Sequence, residues 1–573
     1  MARRFLLSAF ALPLLAGCAT LPAPVADHVP PGDAAAPATG LVSAADPRAV
    51  EAGMAMLRQG GSATDAAIAT MLALTVVEPQ SSGIGGGGFF VRGDAAGHVS
   101  TIDGRETAPA GATGDWFFGP NGKPLPFPQA QASGLSVGVP GNLRLAARAH
   151  KENGKLPWSA LFAPAIALAR DGFAISPRLH DALDGERATG ARDADGRALF
   201  YDPGGQALPV GTTVRNPALA STMQRLASDG ADAFYEGAQA RAIAAEVAAD
   251  TPRPRPMTVT DVTSYSAKDR PPVCGTYRTY RICGMGPPSS GATTVYAILK
   301  QLERFDLQAM GPDSPTFWHL FAESQRLAYA DREKFSGDAD FVTVPVAGMT
   351  DPDYLAARGS LIAADRTMPA VTAGPVPGAL ALADGDEPEE HGTSHFVAID
   401  RWGNGVSYTS TIESAFGSGL VVDGFYLNNE LTDFSNVPSV NGVPVANRVE
   451  GGKRPRSSMS PTLVYDAAGR LMIAVGAAGG ATIPVQTAKN LIAMIDFGLA
   501  PDRALALPVL FSPGDTVIVE EGTSLAAMAP ALRALGHKVE ARRLPLKANA
   551  ARRIGGAWVG AADPRSEGAW KAE

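Results

Sequence analysis

Apolar residues crowd Ala63 to Val77 on most faces, the pattern of a buried helix, led in by Gly61-Ser62 and stopped at Glu78-Pro79. A glycine run, Gly83-Ile-Gly-Gly-Gly-Gly88, then precedes the strand-like Phe89-Phe90-Val91. Residues 140–270 carry helical patterns such as Trp158 to Asp171. From Ser394 onward alternation takes over. Phe396 to Ile399 and Val406 to Thr411 read as two strands around a polar turn, Asp400-Arg-Trp-Gly-Asn404. Further strands are expected at Thr462 to Tyr465 and Leu471 to Val475, with helical segments from Thr487. Strands enclosed by helices predict a layered α/β architecture, and no internal repeat interrupts it.

The N-terminus follows a different rule. Arg3 and Arg4 precede an apolar stretch, Phe5 to Leu15, too short to span a bilayer. The end, Leu15-Ala16-Gly17-Cys18, resembles a bacterial lipoprotein signal covering residues 1–17, with Cys18 as the lipid-bearing residue. An ordinary secretory signal shares the same order of regions. Residues 18–40, rich in Ala and Pro, read as a flexible tether, so the body starts near Leu41. This predicts a periplasmic or cell-envelope protein held at the membrane by lipid alone. The net charge of −8 is diffuse, and no basic run interleaves with aromatics, which excludes a nucleic-acid partner. Cys274 and Cys283 flank a hairpin-like segment turning near Arg278-Thr279. They face each other in that register, as a disulfide of an exported protein or as two reduced thiols. Two cysteines without a nearby histidine pair do not make a zinc site.

Candidate chemistry concentrates where the pattern changes. The acidic stretch Asp384 to Glu390 ends at His391-Gly392-Thr393. If the following hairpin pairs symmetrically about Trp402, Thr393 and Thr411 stand opposite each other on one face. Such pairs also occur simply as sheet structure. Gly392 has no side chain to shield its carbonyl, so the Thr393 hydroxyl can attack it and free an α-amine. That amine then serves as base for the same residue's hydroxyl. His395 shares the face of Thr393 and reads as structural support. The glycine run lacks the Gly-Lys-Ser/Thr ending of a phosphate loop, so close packing explains it better.

Nine segments resemble, in order, the motifs of the gamma-glutamyltransferase family. They are Glu78-Pro-Gln-Ser-Ser-Gly-Ile-Gly-Gly-Gly87, Asp103-Gly-Arg-Glu-Thr-Ala-Pro109, Gly138-Val-Pro-Gly141, Pro287-Pro-Ser-Ser-Gly291 and Thr393-Ser-His-Phe396. Leu427-Asn-Asn-Glu-Leu-Thr-Asp-Phe-Ser435, Lys453-Arg-Pro-Arg-Ser-Ser-Met-Ser-Pro461, Gly479-Gly480 and Asp563-Pro-Arg565 complete the set. The resemblance implies a four-layer αββα sandwich of the N-terminal nucleophile hydrolase type. It also implies a precursor cut between Gly392 and Thr393 into a large subunit (41–392) and a small one (393–573).

By the same resemblance Thr393 is the nucleophile, Thr411 its hydroxyl neighbour, and the amides of Gly479 and Gly480 form the oxyanion hole. Arg105, with Ser457 and Ser458, is expected to bind a substrate α-carboxylate. Asp433, Glu430 and Glu413 are expected to meet the ammonium. Each charge alone reads as a solvated surface residue; their joint match reverses that. The implied reaction is cleavage of a γ-glutamyl amide, with glutathione the suggested donor and water, an amino acid or a peptide as acceptor. It requires no metal or organic cofactor. Departures from the family's pattern are Gly476-Ala-Ala-Gly-Gly-Ala481, which lacks flanking serines, and Gly392 and Ser394 beside the nucleophile. Segment Asn436 to Gly452 is short and free of aromatics, which predicts an open or partly covered site. The alternatives are a cephalosporin- or glutaryl-acylase-like or poly-γ-glutamate-processing amidase on this fold, or an unprocessed peptide-binding lipoprotein.

Overall fold

A computed structural model describes residues 40–385 and 392–573. The signal, Cys18 and all of the tether except Gly40 therefore lie outside the described residues, as does His391. Of the strands that build the two main sheets, β1 (Gly40–Ala44), β2 (Gly87–Gly93), β3 (Val99–Gly104) and β4 (Lys268–Arg270) precede the hairpin β5 (Val273–Tyr277) and β6 (Tyr280–Gly284). The second part of the chain adds β7 (Ser394–Asp400), β8 (Gly405–Thr411), β9 (Thr462–Tyr465) and β10 (Leu471–Ala478). Three more strands, β11 (Lys547–Ile554), β12 (Ala557–Ala562) and β13 (Ala569–Ala572), close it. A seven-stranded sheet runs β13-β1-β7-β8-β2-β3-β4, and a six-stranded one runs β12-β11-β10-β9-β6-β5. Every pairing in both is antiparallel.

Alternation along the strands sorts side chains between layers. Phe90, Phe396 and Ala398 face the core shared with helices α1 (Pro47–Arg58), α2 (Ala63–Val77) and α3 (Asn142–Asn153). Phe89, Val397 and Ile399 face the other way, into the core with Leu463, Ile473 and Val475 of the second sheet. That sheet is covered in turn by α4 (Gly291–Leu302), α5 (Pro315–Phe335) and α6 (Ile483–Ile495). The result is the expected αββα sandwich.

Helix α2 has the predicted bounds and is buried throughout, and Ser62 and Asp65 close a capping box at its start. Two boundaries differ from expectation. A 3-10 turn occupies Trp158–Phe162, because Pro164 starts a separate helix at Ala163. The last long helix begins at Ile483 rather than Thr487, with a proline in its first turn. Cys274 and Cys283 pair directly across β5 and β6 and are joined by a disulfide. Among the described residues no helix is long and apolar enough to cross a membrane.

Candidate active site

The β7–β8 hairpin pairs Ser394 with Ser410 and Ile399 with Gly405, the register symmetrical about Trp402. Thr393, one residue before β7, consequently meets Thr411, the last of β8. Their hydroxyl oxygens are 3.2 Å apart. Thr411 Oγ1 also accepts from the Glu413 N–H at 2.8 Å, which fixes its position. The Thr393 N–H donates to the Ser81 carbonyl at 3.1 Å.

Thr393 is held at a φ of 106°. A β-branched residue is strongly disfavoured there, so the Gly392–Thr393 junction stores strain. Gly392 is obligatory in this geometry, since a Cβ on it would lie 1.6 Å from the Glu413 carbonyl oxygen. His395 is fully buried with Nδ1 2.8 Å from Thr409 Oγ1, and burial pushes its pKa down to about 3. It packs the hairpin rather than reaching the Thr393 hydroxyl.

On one side of Thr393 lies a small cavity, of about 10 Å³, whose walls include Arg105, Thr411, Glu413, Glu430, Asp433 and Ser457. Arg105 follows β3 and is buried. Its guanidinium ion-pairs with Glu430 and Asp433 and donates to the Arg456 carbonyl at 2.9 Å. Its own carbonyl accepts from Tyr265 Oη at 2.7 Å. Burial opposes the Arg105 charge, but Glu430 and Asp433 outweigh it and keep the group protonated. Burial also dominates at Glu430 and holds its carboxyl well above the ordinary range despite Arg105. Glu106, beside it, is pushed up to about 7, again chiefly by burial.

Ser457 lines this cavity, whereas the Ser458 hydroxyl accepts from the buried Arg332 of α5. Segment Asn436 to Gly452 contains a short exposed hairpin, Ser439–Val440 with Val443–Pro444. The pocket is narrow, because Arg105 spans it to reach both carboxylates.

Gly479 and Gly480 have φ values of 127° and 57°. A side chain on Gly479 would strike the Pro545 carbonyl at 1.9 Å. Gly480 opens a single 3-10 turn, Gly480–Thr482, where the leading amides have no acceptor within the helix. Gly480 faces the first cavity. Gly479 faces a second, of about 80 Å³, lined also by Ser81, Arg178, Gly392, Thr393 and Lys547.

Lys547 and Glu78 form a buried ion pair at 2.9 Å, and the Ser394 hydroxyl donates to Glu78 Oε2 at 2.6 Å. Burial pushes the lysine down to about 8, against the pull of Glu78. At Glu78 burial raises the pKa, but Lys547 and Arg178 together bring it below the ordinary value. Sequence reasoning missed this group. Only Glu78 offered a signal, as a carboxylate ending an apolar helix inside a motif; Lys547, Arg178 and Arg332 sit in locally ordinary segments.

A family model described as Gamma-glutamyltranspeptidase matches residues 49–572. The chain belongs to the gamma-glutamyltranspeptidase family. Among its relatives, the glutathione hydrolase proenzyme of Bacillus subtilis (strain 168) is 37% identical over 512 residues, 87% of this chain and 85% of that protein. The corresponding Escherichia coli (strain K12) proenzyme is 35% identical over 540 residues, 92% and 90% of the two chains. In structure, the cephalosporin acylase from Bacillus halodurans superposes with a TM-score of 0.82 at 26% identity, covering 98% of this chain and 99% of its own. Helicobacter pylori gamma-glutamyltranspeptidase gives 0.54 at 37% identity, over 56% of this chain and 91% of the solved one. As a member of this family the chain is an enzyme, and its antiparallel sheets carry the family's N-terminal nucleophile hydrolase fold.

Proposed function

We propose that this chain is a self-cleaving γ-glutamyltransferase and glutathione hydrolase with Thr393 as nucleophile. The carrying observation is the Thr393 hydroxyl, 3.2 Å from that of Thr411, at a strained junction between an acid-rich pocket and a second cavity. In processing, Thr393 Oγ attacks the Gly392 carbonyl carbon and the C–N bond breaks. The ester so formed is hydrolysed, leaving a Gly392 carboxylate and a free Thr393 amine. The Ser81 carbonyl, already an acceptor for that nitrogen, holds the amine in place.

In turnover the amine takes the hydroxyl proton as Oγ attacks the γ-glutamyl carbonyl, then passes it to the departing amine. The Gly479 and Gly480 amides stabilise the oxyanion. Arg105 and Ser457 take the donor's α-carboxylate, and Asp433, Glu430 and Glu413 its ammonium. Water or an amino acid or peptide then resolves the ester.

Intact mass and N-terminal sequencing test the reading. Wild type should give two fragments, the smaller beginning Thr-Ser-His-Phe, while Thr393→Ala stays whole and inactive. A wild-type chain that stays whole on long incubation would overturn it and favour a binding lipoprotein.

The acylase alternative draws support from the acylase superposition and from a 34% identical relative, the acylase ACY 1 proenzyme of Pseudomonas sp. (strain V22). The acidic wall argues for glutamyl, because a glutaryl group has no ammonium to meet Asp433. We also propose export and lipid attachment at Cys18. Cys18→Ser should move the protein from the membrane to the soluble fraction, and unchanged fractionation would refute the anchor.

A further inference from the structure

The acid-rich pocket is the proposed seat of the acyl half of a γ-glutamyl donor, which leaves the amine half without a place. Among the described residues Thr393 alone lines both cavities. The two halves of an amide diverge from its carbonyl carbon, so an acyl group seated toward Arg105 sends its leaving group toward the other opening. That second cavity reaches Thr393 beside Gly479, one of the two candidate oxyanion donors. Among the described residues of the uncut chain its charged lining is Lys547 and Arg178, with the Glu78 carboxylate beside them.

The two cations are engaged differently. Lys547 is buried and spends its donors on Glu78 at 2.9 Å, Ser394 Oγ at 3.3 Å and Ser81 Oγ at 3.4 Å. Arg178 approaches Glu78 only to 4.0 Å, beyond hydrogen-bond reach, and its side chain is 35% exposed. Its backbone N–H is tied to Glu567 at 2.8 Å, which fixes the base of the side chain at the start of a helix. A guanidinium with donors to spare therefore borders a cavity that ends at the nucleophile.

We infer that this second cavity is the leaving-group and acceptor subsite, and that Arg178 selects amines bearing a carboxylate, such as amino acids and short peptides. The Lys547–Glu78 pair positions it. The inference rests on the proposed γ-glutamyl reaction, and a matched pair of donors separates the two. γ-Glutamyl-4-nitroanilide has a neutral leaving group, and γ-glutamyl-3-carboxy-4-nitroanilide adds one carboxylate to it.

With processed enzyme, Arg178→Gln should lower kcat/KM for the carboxylated donor about 10-fold while changing the neutral one less than about twofold. Arg178→Lys should recover part of the loss, since charge returns without the planar fork. This ratio reports the acylation step, so slow deacylation does not mask it. Equal loss on both donors, or loss on neither, would overturn the subsite while leaving the γ-glutamyl reading intact. If wild type cleaves neither donor, that reading fails and takes the subsite with it.

Discussion

The two cavities that meet at Thr393 are built from opposite charge, and they handle it in opposite ways. Toward Arg105, one guanidinium faces Glu413, Glu430 and Asp433, all buried, with Glu106 adjoining. Burial holds the carboxyls of Glu430 and Glu106 above the ordinary range. An incoming ammonium would favour the charged form of these carboxylates. Toward Lys547 the balance is reversed, yet the deepest charge is already matched by Glu78. The first cavity thus concentrates buried carboxylates around one guanidinium, whereas in the second the lysine is already matched and, among the described residues, Arg178 is the cation left to meet a ligand. A demanding donor site and a permissive acceptor site follow from that difference.

The largest effect is expected where the second cavity loses its internal match. Lys547→Met strands Glu78 as a buried unpaired carboxylate, which should cost ~3–5 kcal/mol. Calorimetry should show a lowered Tm that adding Glu78→Gln largely restores. An unchanged Tm in the single variant would show that the pair is not the anchor of this cavity. Next in size, Asp433→Asn should lower kcat/KM for γ-glutamyl-4-nitroanilide about 10²-fold. A glutaryl anilide, with no ammonium, should respond far less; equal losses would mean that the acidic wall does not read the amine.

The smallest effect concerns pH. Glu106 titrates at about 7 in the fold against 4.5 when free. Between those values the folded chain keeps a proton that the unfolded chain releases. Stability therefore falls as pH rises from about 4.5 to about 7 and then levels off. Glu106→Gln should remove that decline and so raise Tm at pH 8 above that of wild type. Near pH 4 variant and wild type should melt together. A variant less stable at both pH values would show that Glu106 works as a packing group instead.

Much of this architecture was legible because its signals are local. The period-2 alternation of β7 and β8 around one polar turn fixes a register, and the register alone sets Thr393 against Thr411. Helix α2 could be bounded to the residue because capping and stop signals flank an unbroken apolar run. The Arg105, Glu430 and Asp433 cluster was reachable only through resemblance, as 325 residues separate Arg105 from Glu430. The Lys547–Glu78 pair, spanning 469 residues, escaped even that. Charge pairing across such distances leaves no periodicity to read. Helix α5 went unpredicted for another reason: buried polar residues such as His319, Glu323, Gln325 and Arg326 blur its apolar stripe.

The strand order carries a last consequence. β1 belongs to the part before Gly392, yet it lies between β13 and β7, both from the part after it. At the other sheet β6 pairs with β9 across the same divide. The two pieces of a chain cut at Gly392–Thr393 would be woven, not docked. Neither would own a complete sheet or a closed core, so no seam exists along which they could part. Such a pair should melt as one body and refuse to trade partners between molecules, remaining in physical terms a single protein with a break in its backbone.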